Sequence, residues 1–213
     1  MGQSALTLAA GVGVLSHGSS VSSRLAFELS VPGDGEFSFM EVFARYRCNV
    51  WTMYFEGYGR PFRSVGNSNV ADGAEDLKAA ALVVSKETGQ ESFHLYDEWS
   101  GTLRAGVFAM AETEMQFGTS VPTGTFLDMA AHLPMVDPTR LPVPVLIARG
   151  EYDGIASEDD LLAFFQKLPV ADREFVVLPG ASDTVTMAIN RRQFWHVLHC
   201  YLDMPLRLNK IKE

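Results

Sequence analysis

Cysteine is scarce in this chain: Cys48 and Cys200 are the whole supply among 213 residues. Two thiols cannot build a disulfide framework, and with no C-x-x-C pair they read as buried, reduced side chains of a cytosolic protein. Basic residues are also in short supply, 17 Lys and Arg against 26 Asp and Glu, which leaves a formal charge of −9. Binding to nucleic acid needs a basic face, so this balance argues against it, and the scattered acids read as a solvated surface. No apolar run reaches the roughly 18 residues of a membrane span. The opening stretch "MGQSALTLAAGVGVLSHG" lacks the positive segment that begins a signal peptide. It starts Met-Gly, yet Leu6 stands where a myristoylation signal favours Ser or Thr. A cytoplasmic protein is the expectation that follows. Repeats and low-complexity segments are missing too.

What is present is 47% hydrophobic content, enough for one domain with a sizeable core and too short a chain for two large ones. Apolar β-type runs alternate with helical periodicity, the pattern of an α/β domain built on a mostly parallel sheet. "TLAAGVGVLSHG" is a strand ending at His17-Gly18, and "CNVWTMYFEGYGR" holds a second, closed by Gly57 and Gly59. "NSNVADGAEDLKAAALVVSKETG" is a helix with Val70, Ala74, Leu77 and Ala81 on one face and Gly89 as its stop. "ESFHLY" is a strand, followed after a sharp turn by the helix "TLRAGVFAMA". "VPVLIARG" reads as a strand buried on both faces. "SEDDLLAFFQKLP" is a helix capped by Ser157 and buried through Leu161, Phe164, Phe165 and Leu168. "REFVVLPG" is the last strand, and "RRQFWHVLHCYL" the last helix, packing through Phe194, Val197, Leu198, Tyr201 and Leu202. Between the helix ending near Ala111 and the strand starting at Val143 there is no β-branched apolar run. One short helix, "TFLDMAAHL", stands there among loop signals.

Taken in order, these pieces resemble the α/β-hydrolase family of esterases, lipases, epoxide hydrolases and dehalogenases. "VLSHGSS" is similar to the strand and HG turn that supply half of an oxyanion hole, and "FEGYGR" to the glycine-rich loop after the next strand. "HLYDEWSGTLRAGVFA" aligns with the nucleophile elbow and its helix. "VPVLIARGEYDGIASEDDL" resembles the strand and loop that deliver the triad acid, and "REFVVLPGASDTV" the strand that delivers the histidine. The resemblance implies a single α/β-hydrolase-like domain over 1–213, with a mostly parallel sheet flanked by helices. It also implies a reduced strand count: the chain begins near the third of the usual eight strands, and the sixth has no counterpart. Residues 112–142 then read as the remnant of a cap.

Serine-hydrolase chemistry needs a nucleophile on a strained turn, a histidine to take its proton, a carboxylate to hold that histidine, and backbone N–H groups for the oxyanion. Aligned on Gly101, the elbow reads Asp97-Glu98-Trp99-Ser100-Gly101. Trp99 stands at the nucleophile position, and an indole donates one hydrogen bond but does not attack an ester. Asp183 stands at the histidine position, so only Asp153 of "GEYDG" keeps its triad role as the acid. The resemblance assigns the oxyanion remnant to the backbone of Gly18, Ser19 and Ser100, and places His17 and Glu98 beside the substrate. A shift of register would make Ser100 the nucleophile, with Glu98 poorly suited to a small-residue position. Glu98-Trp99 is also similar to the Asp-Trp pair of haloalkane dehalogenases, a register that puts Tyr96 where a small residue belongs. His94 falls on a buried strand, and His132, His196 and His199 on helices.

Three readings stay open. The chain is a hydrolase of ester-type or other acyl substrates by descent, with that chemistry impaired or lost; or a pseudoenzyme holding a small apolar ligand or a partner; or a non-hydrolytic enzyme whose Asp153 and Asp183 share a proton while Trp99 stacks on a bound ring. No cofactor and no metal site is expected. A homo-oligomer or partner chain could cover the face from which the cap is missing.

Overall fold

The computed structural model describes residues 11–18, 22–31, 36–58, 67–91, 93–97, 122–132 and 135–204. Within them the order is β1 (Val12–Ser16), α1 (Ser23–Phe27), α2 (Phe39–Arg45), β2 (Asn49–Thr52), α3 (Val70–Thr88), β3 (His94–Asp97), α4 (Gly124–Ala131), a 3-10 turn (Pro138–Arg140), β4 (Val145–Tyr152), α5 (Glu158–Lys167), β5 (Arg173–Ser182) and α6 (Arg191–Asp203). Every strand pairing is parallel. One sheet runs β2-β1-β3 and the other β4-β5. Parallel neighbours need long crossovers, which the helices supply.

β1 is the central strand of the first sheet, and its alternating side chains face two different cores. Val12 and Val14 pack with Val84 of α3, joined by Trp51, Leu77 and Phe93. Leu15 points the other way, into the main cluster of Phe27, Phe39, Phe43, Leu178, Phe194 and Trp195. Phe39 and Phe43, one helical turn apart on α2, stack at 4.5 Å, and Phe27 meets Phe39 edge-on at 5.8 Å. Burying each such ring contributes about 1.5–3 kcal/mol. This cluster joins the two sheets: Leu15 comes from β1, Leu178 and Ala181 from β5, and Phe194, Trp195 and Leu198 of α6 complete it.

Local signals set the helix ends. Asn69 accepts from the N–H groups of Ala71 and Asp72, and Asp72 accepts from the N–H of Asn69 in return. Gly89 closes α3 at a φ of 70°, where a side chain would be strained. Ser157 caps α5 through the Asp160 N–H at 3.1 Å.

Several packing expectations change. On α3 the buried contact is made by Val84 together with Leu77, while Val70, Leu82 and Val83 are exposed. The helix meets the sheet along its second half, so the working stripe starts at Leu77. On α5 only the C-cap residue Leu168 is buried; Leu161, Phe164 and Phe165 are half-buried. β4, expected to be buried on both faces, is half-buried from Val145 to Ala148. The reason is visible in the topology: among the described residues β4 pairs only with β5, and no strand stands between β3 and β4. Among the described residues there are five strands, three in one sheet and two in the other. On α6, Trp195 is buried alongside Phe194 and Leu198, a core residue the helical stripe did not include. Cys48 is half-buried and Cys200 exposed; both are free thiols, so only one is sheltered. His94 is exposed rather than buried, because β3 is an edge strand of its sheet among the described residues. The helix expected at "TLRAGVFAMA" lies outside the described residues, whereas that at "TFLDMAAHL" is α4. No described helix is long and apolar enough to cross a membrane.

Candidate functional site at the strand ends

In open parallel sheets, ligands bind beyond the carboxyl ends of the strands, and the described residues singled out in the sequence follow the ends of β1, β4 and β5. Ser16 pairs in register with Asp97, so the His17-Gly18 turn leaves β1 beside the point where β3 ends. His17 is buried at 2% exposure. Its Nε2 accepts from the Phe55 N–H at 3.2 Å, which makes Nδ1 the protonated nitrogen, 2.7 Å from the Gly18 carbonyl. Its ring also packs on Phe55 at 4.9 Å and edge-on to Tyr58 at 4.8 Å. Burial raises the Tyr58 pKa above the ordinary phenol value, so that hydroxyl stays protonated. His17 therefore ties the HG turn to the loop after β2. One ring nitrogen is spent on that loop and the other on the HG turn itself, so any service to a substrate comes through the turn it positions.

In the second sheet, Tyr152 of β4 lies opposite Ser182 of β5. The residue after each strand is an aspartate, so Asp153 and Asp183 leave the same edge of this two-stranded sheet. Gly150 makes this convergence possible. A Cβ added there would fall inside hard-contact distance of the Ser182 carbonyl oxygen and 2.5 Å from that of Ala181. The Asp153 Oδ1 accepts from the N–H groups of Ile155 at 2.9 Å and Ala156 at 3.0 Å, an Asx turn that shapes its own loop. Beyond Asp183, Thr184 turns the chain inward: its carbonyl accepts from Met187 and Ala188, and Thr184, Val185, Thr186 and Met187 are all buried. Asp183 stays half-exposed at the mouth of that turn.

Sequence reasoning passed over Arg149. It projects from β4 and is buried at 6% exposure. Its Nη1 donates to Glu158 Oε2 at 2.9 Å, and its Nη2 to the carbonyls of Asp153 at 3.1 Å and Ala156 at 3.4 Å. This guanidinium clamps the acid loop to the start of α5. The available signal was a lone arginine inside the otherwise apolar run "VLIARG".

The segment expected to be a cap remnant is bolted to the loop after β2. Asn67 and Thr123 exchange two hydrogen bonds, at 2.6 and 2.9 Å, and Asp128 accepts from the Val70 N–H at 3.1 Å. Gly57, at a φ of 85°, lies against Pro122, and Gly124 sits so close to the backbone of Asn67 and Ser68 that a Cβ would collide. Gly18 is half-buried at the turn. Ser19, Glu98, Trp99, Ser100 and Gly101 lie outside the described residues. No group of three His, Cys, Asp or Glu side chains suited to a metal ion occurs among the described residues.

No family model matches the sequence, and no curated protein does. Solved structures do match its shape. The 2-hydroxy-6-oxo-6-phenylhexa-2,4-dienoate hydrolase of Rhodococcus sp. strain RHA1 aligns with a TM-score of 0.69 at 13% identity, covering 91% of each chain. The monoacylglycerol lipase of Paleococcus ferrophilus aligns at 0.59 and 14%, over 91% of this chain and 94% of its own. An alpha-beta serine hydrolase homologue from Coxiella burnetii aligns at 0.52 and 17%, over 91% and 83%. At such identities the likeness is one of fold: the chain has the α/β-hydrolase fold.

Proposed function

We propose that this chain is an α/β-hydrolase frame in which serine-hydrolase chemistry is lost or strongly impaired, and that its strand-end pocket holds a small apolar or ester-like molecule without turning it over. The supporting observation is that Asp183 directly follows the end of β5, whose last residue Ser182 pairs with Tyr152, the residue before Asp153. A proton acceptor for a serine belongs at that position, and a carboxylate there places negative charge next to the surviving acid instead. In this reading Asp153 is the inherited acid, Trp99 and Asp183 are the replaced nucleophile and base, and Gly18, Ser19 and Ser100 are what remains of the oxyanion hole. Glu98 lines the pocket, and His17 acts through the turn it holds. Residues 112–142 are a shortened cap over a single domain spanning 1–213, and the exposed Phe126 and Leu127 on α4 suit contact with a ligand or another chain.

The test is hydrolysis of short-chain activated esters by folded protein, with Ser100→Ala and Asp153→Asn alongside. Turnover no faster than buffer in all three supports the proposal. Turnover abolished by Ser100→Ala places the nucleophile one residue on and refutes it. The register of Tyr152 with Ser182 favours one second reading, proton transfer by the Asp153–Asp183 pair in a non-hydrolytic reaction. An activity lost in Asp183→Asn and unaffected by Ser100→Ala would select it.

A further inference from the structure

We infer that the cleft between α2 and the start of α6 is a binding site for a small oxyanion, a carboxylate or a phosphate. The cleft encloses about 180 Å³ and is lined by Glu36, Val42, Arg45, Tyr46, Arg192 and Trp195. It is separate from the strand-end site, whose residues come from the loops after β1, β3, β4 and β5.

Charge argues for an anion. In a chain of net charge −9, this small region gathers the cations Arg45 and Arg192, with Arg191 in the adjoining wall. Arg191 is 6% exposed and fixed: Nε donates to the Glu36 carbonyl at 3.0 Å, and its guanidinium lies 3.9 Å from the centre of the Phe37 ring and 5.6 Å from that of Trp195. It adds a permanent positive charge behind the cleft. Arg192 pairs at the rim with Glu36 at 2.6 Å, and both side chains are largely exposed, 72% and 43%, so the pair opens at little cost. Arg45 has no ion-pair partner among the described residues, and its planar fork suits a carboxylate or phosphate.

The wall supplies the second observation. Trp195 is 2% exposed, and its indole Nε1–H is buried without an acceptor among the described residues. Buried donors in folded proteins are almost always paired, and an oxyanion in the cleft that Trp195 lines is the acceptor assigned to it. Val42 and the Tyr46 ring, stacked on His199 at 4.0 Å, leave apolar surface for a short carbon chain.

The experiment follows the three tryptophan indole N–H signals of the ¹⁵N-labelled full chain, assigned with Trp51→Phe and Trp99→Phe. Inorganic phosphate and acetate are titrated separately at constant ionic strength set by chloride. We expect a saturable downfield shift of the Trp195 signal with at least one of them, no saturable shift for Trp51 or Trp99, and at least tenfold weaker binding in Arg45→Gln. Arg45 is exposed, so that variant keeps its fold, which the unchanged dispersion of the spectrum checks. Saturation with only one anion supports the site and names its ligand class. A shift that is linear, that is the same in Arg45→Gln, or that is absent with both anions overturns the inference.

Discussion

Replacing Arg149 by Met removes the clamp on the acid loop while keeping an unbranched apolar stem in place of the arginine's. Two bonds are short enough to matter, to Glu158 at 2.9 Å and to the Asp153 carbonyl at 3.1 Å; the third, to Ala156, is 3.4 Å. Glu158 is 53% exposed, so that ion pair is screened and contributes under about 1 kcal/mol. The charge-assisted bond to Asp153 contributes about 1.5–3 kcal/mol. Against these stands relief of a buried cation whose Nε–H has no acceptor, a gain on the order of 1–2 kcal/mol. The net loss is about 1–2 kcal/mol, or roughly 2–8 °C in Tm for a chain of this size. Thermal melting measures the loss, and hydrogen exchange at residues 153–157 locates it. Arg149→Lys, a point charge without the fork, should recover only part. A Tm at or above that of the parent, with protection of the loop unchanged, would refute the clamp.

Gly150→Ala forces a Cβ against the carbonyls of Ala181 and Ser182, so β4 and β5 must part where they deliver Asp153 and Asp183. The expected cost is about 1–3 kcal/mol, read from urea unfolding, and an unfolding free energy equal to that of the parent would show that the strands yield freely. His94 offers a pH test. Its ring lies over Gly11, and partial burial lowers its pKa below 6.5 although much of the residue is exposed. Between that lowered value and 6.5 the unfolded chain binds more protons than the folded one, so stability falls as pH drops through this window. The drop in Tm from pH 7 to 5.5 should shrink in His94→Gln; an identical drop would contradict the assignment.

Features set by neighbours along the chain were legible in the sequence. Gly89 and Ser157 end their helices through groups within four residues, and the order HG turn, elbow, acid loop and last strand identified the fold despite identities of 13–17% to the solved structures reported above. Features set by distant partners were not. The helical stripe of α6 left out Trp195 because its burial depends on α2 and β5 arriving on that side. The strand reading of "VLIARG" could not show that Arg149 bends back to the Asp153 carbonyl. The β4 run looked doubly covered, since its apolar residues say nothing about whether another strand arrives. At the site, the order of elements led to the expectation that Asp153 and Asp183 leave the same sheet edge, and the register of β4 with β5 pairs the residues just before them, Tyr152 and Ser182.

The central claim is that nothing on this frame attacks an ester. Its most direct measurement is covalent labelling of the folded protein with a fluorophosphonate, which phosphonylates activated serines, read by intact mass and peptide mapping. The account predicts an unmodified mass after prolonged incubation. An adduct mapped to Ser100 would mean that the elbow still presents a working nucleophile.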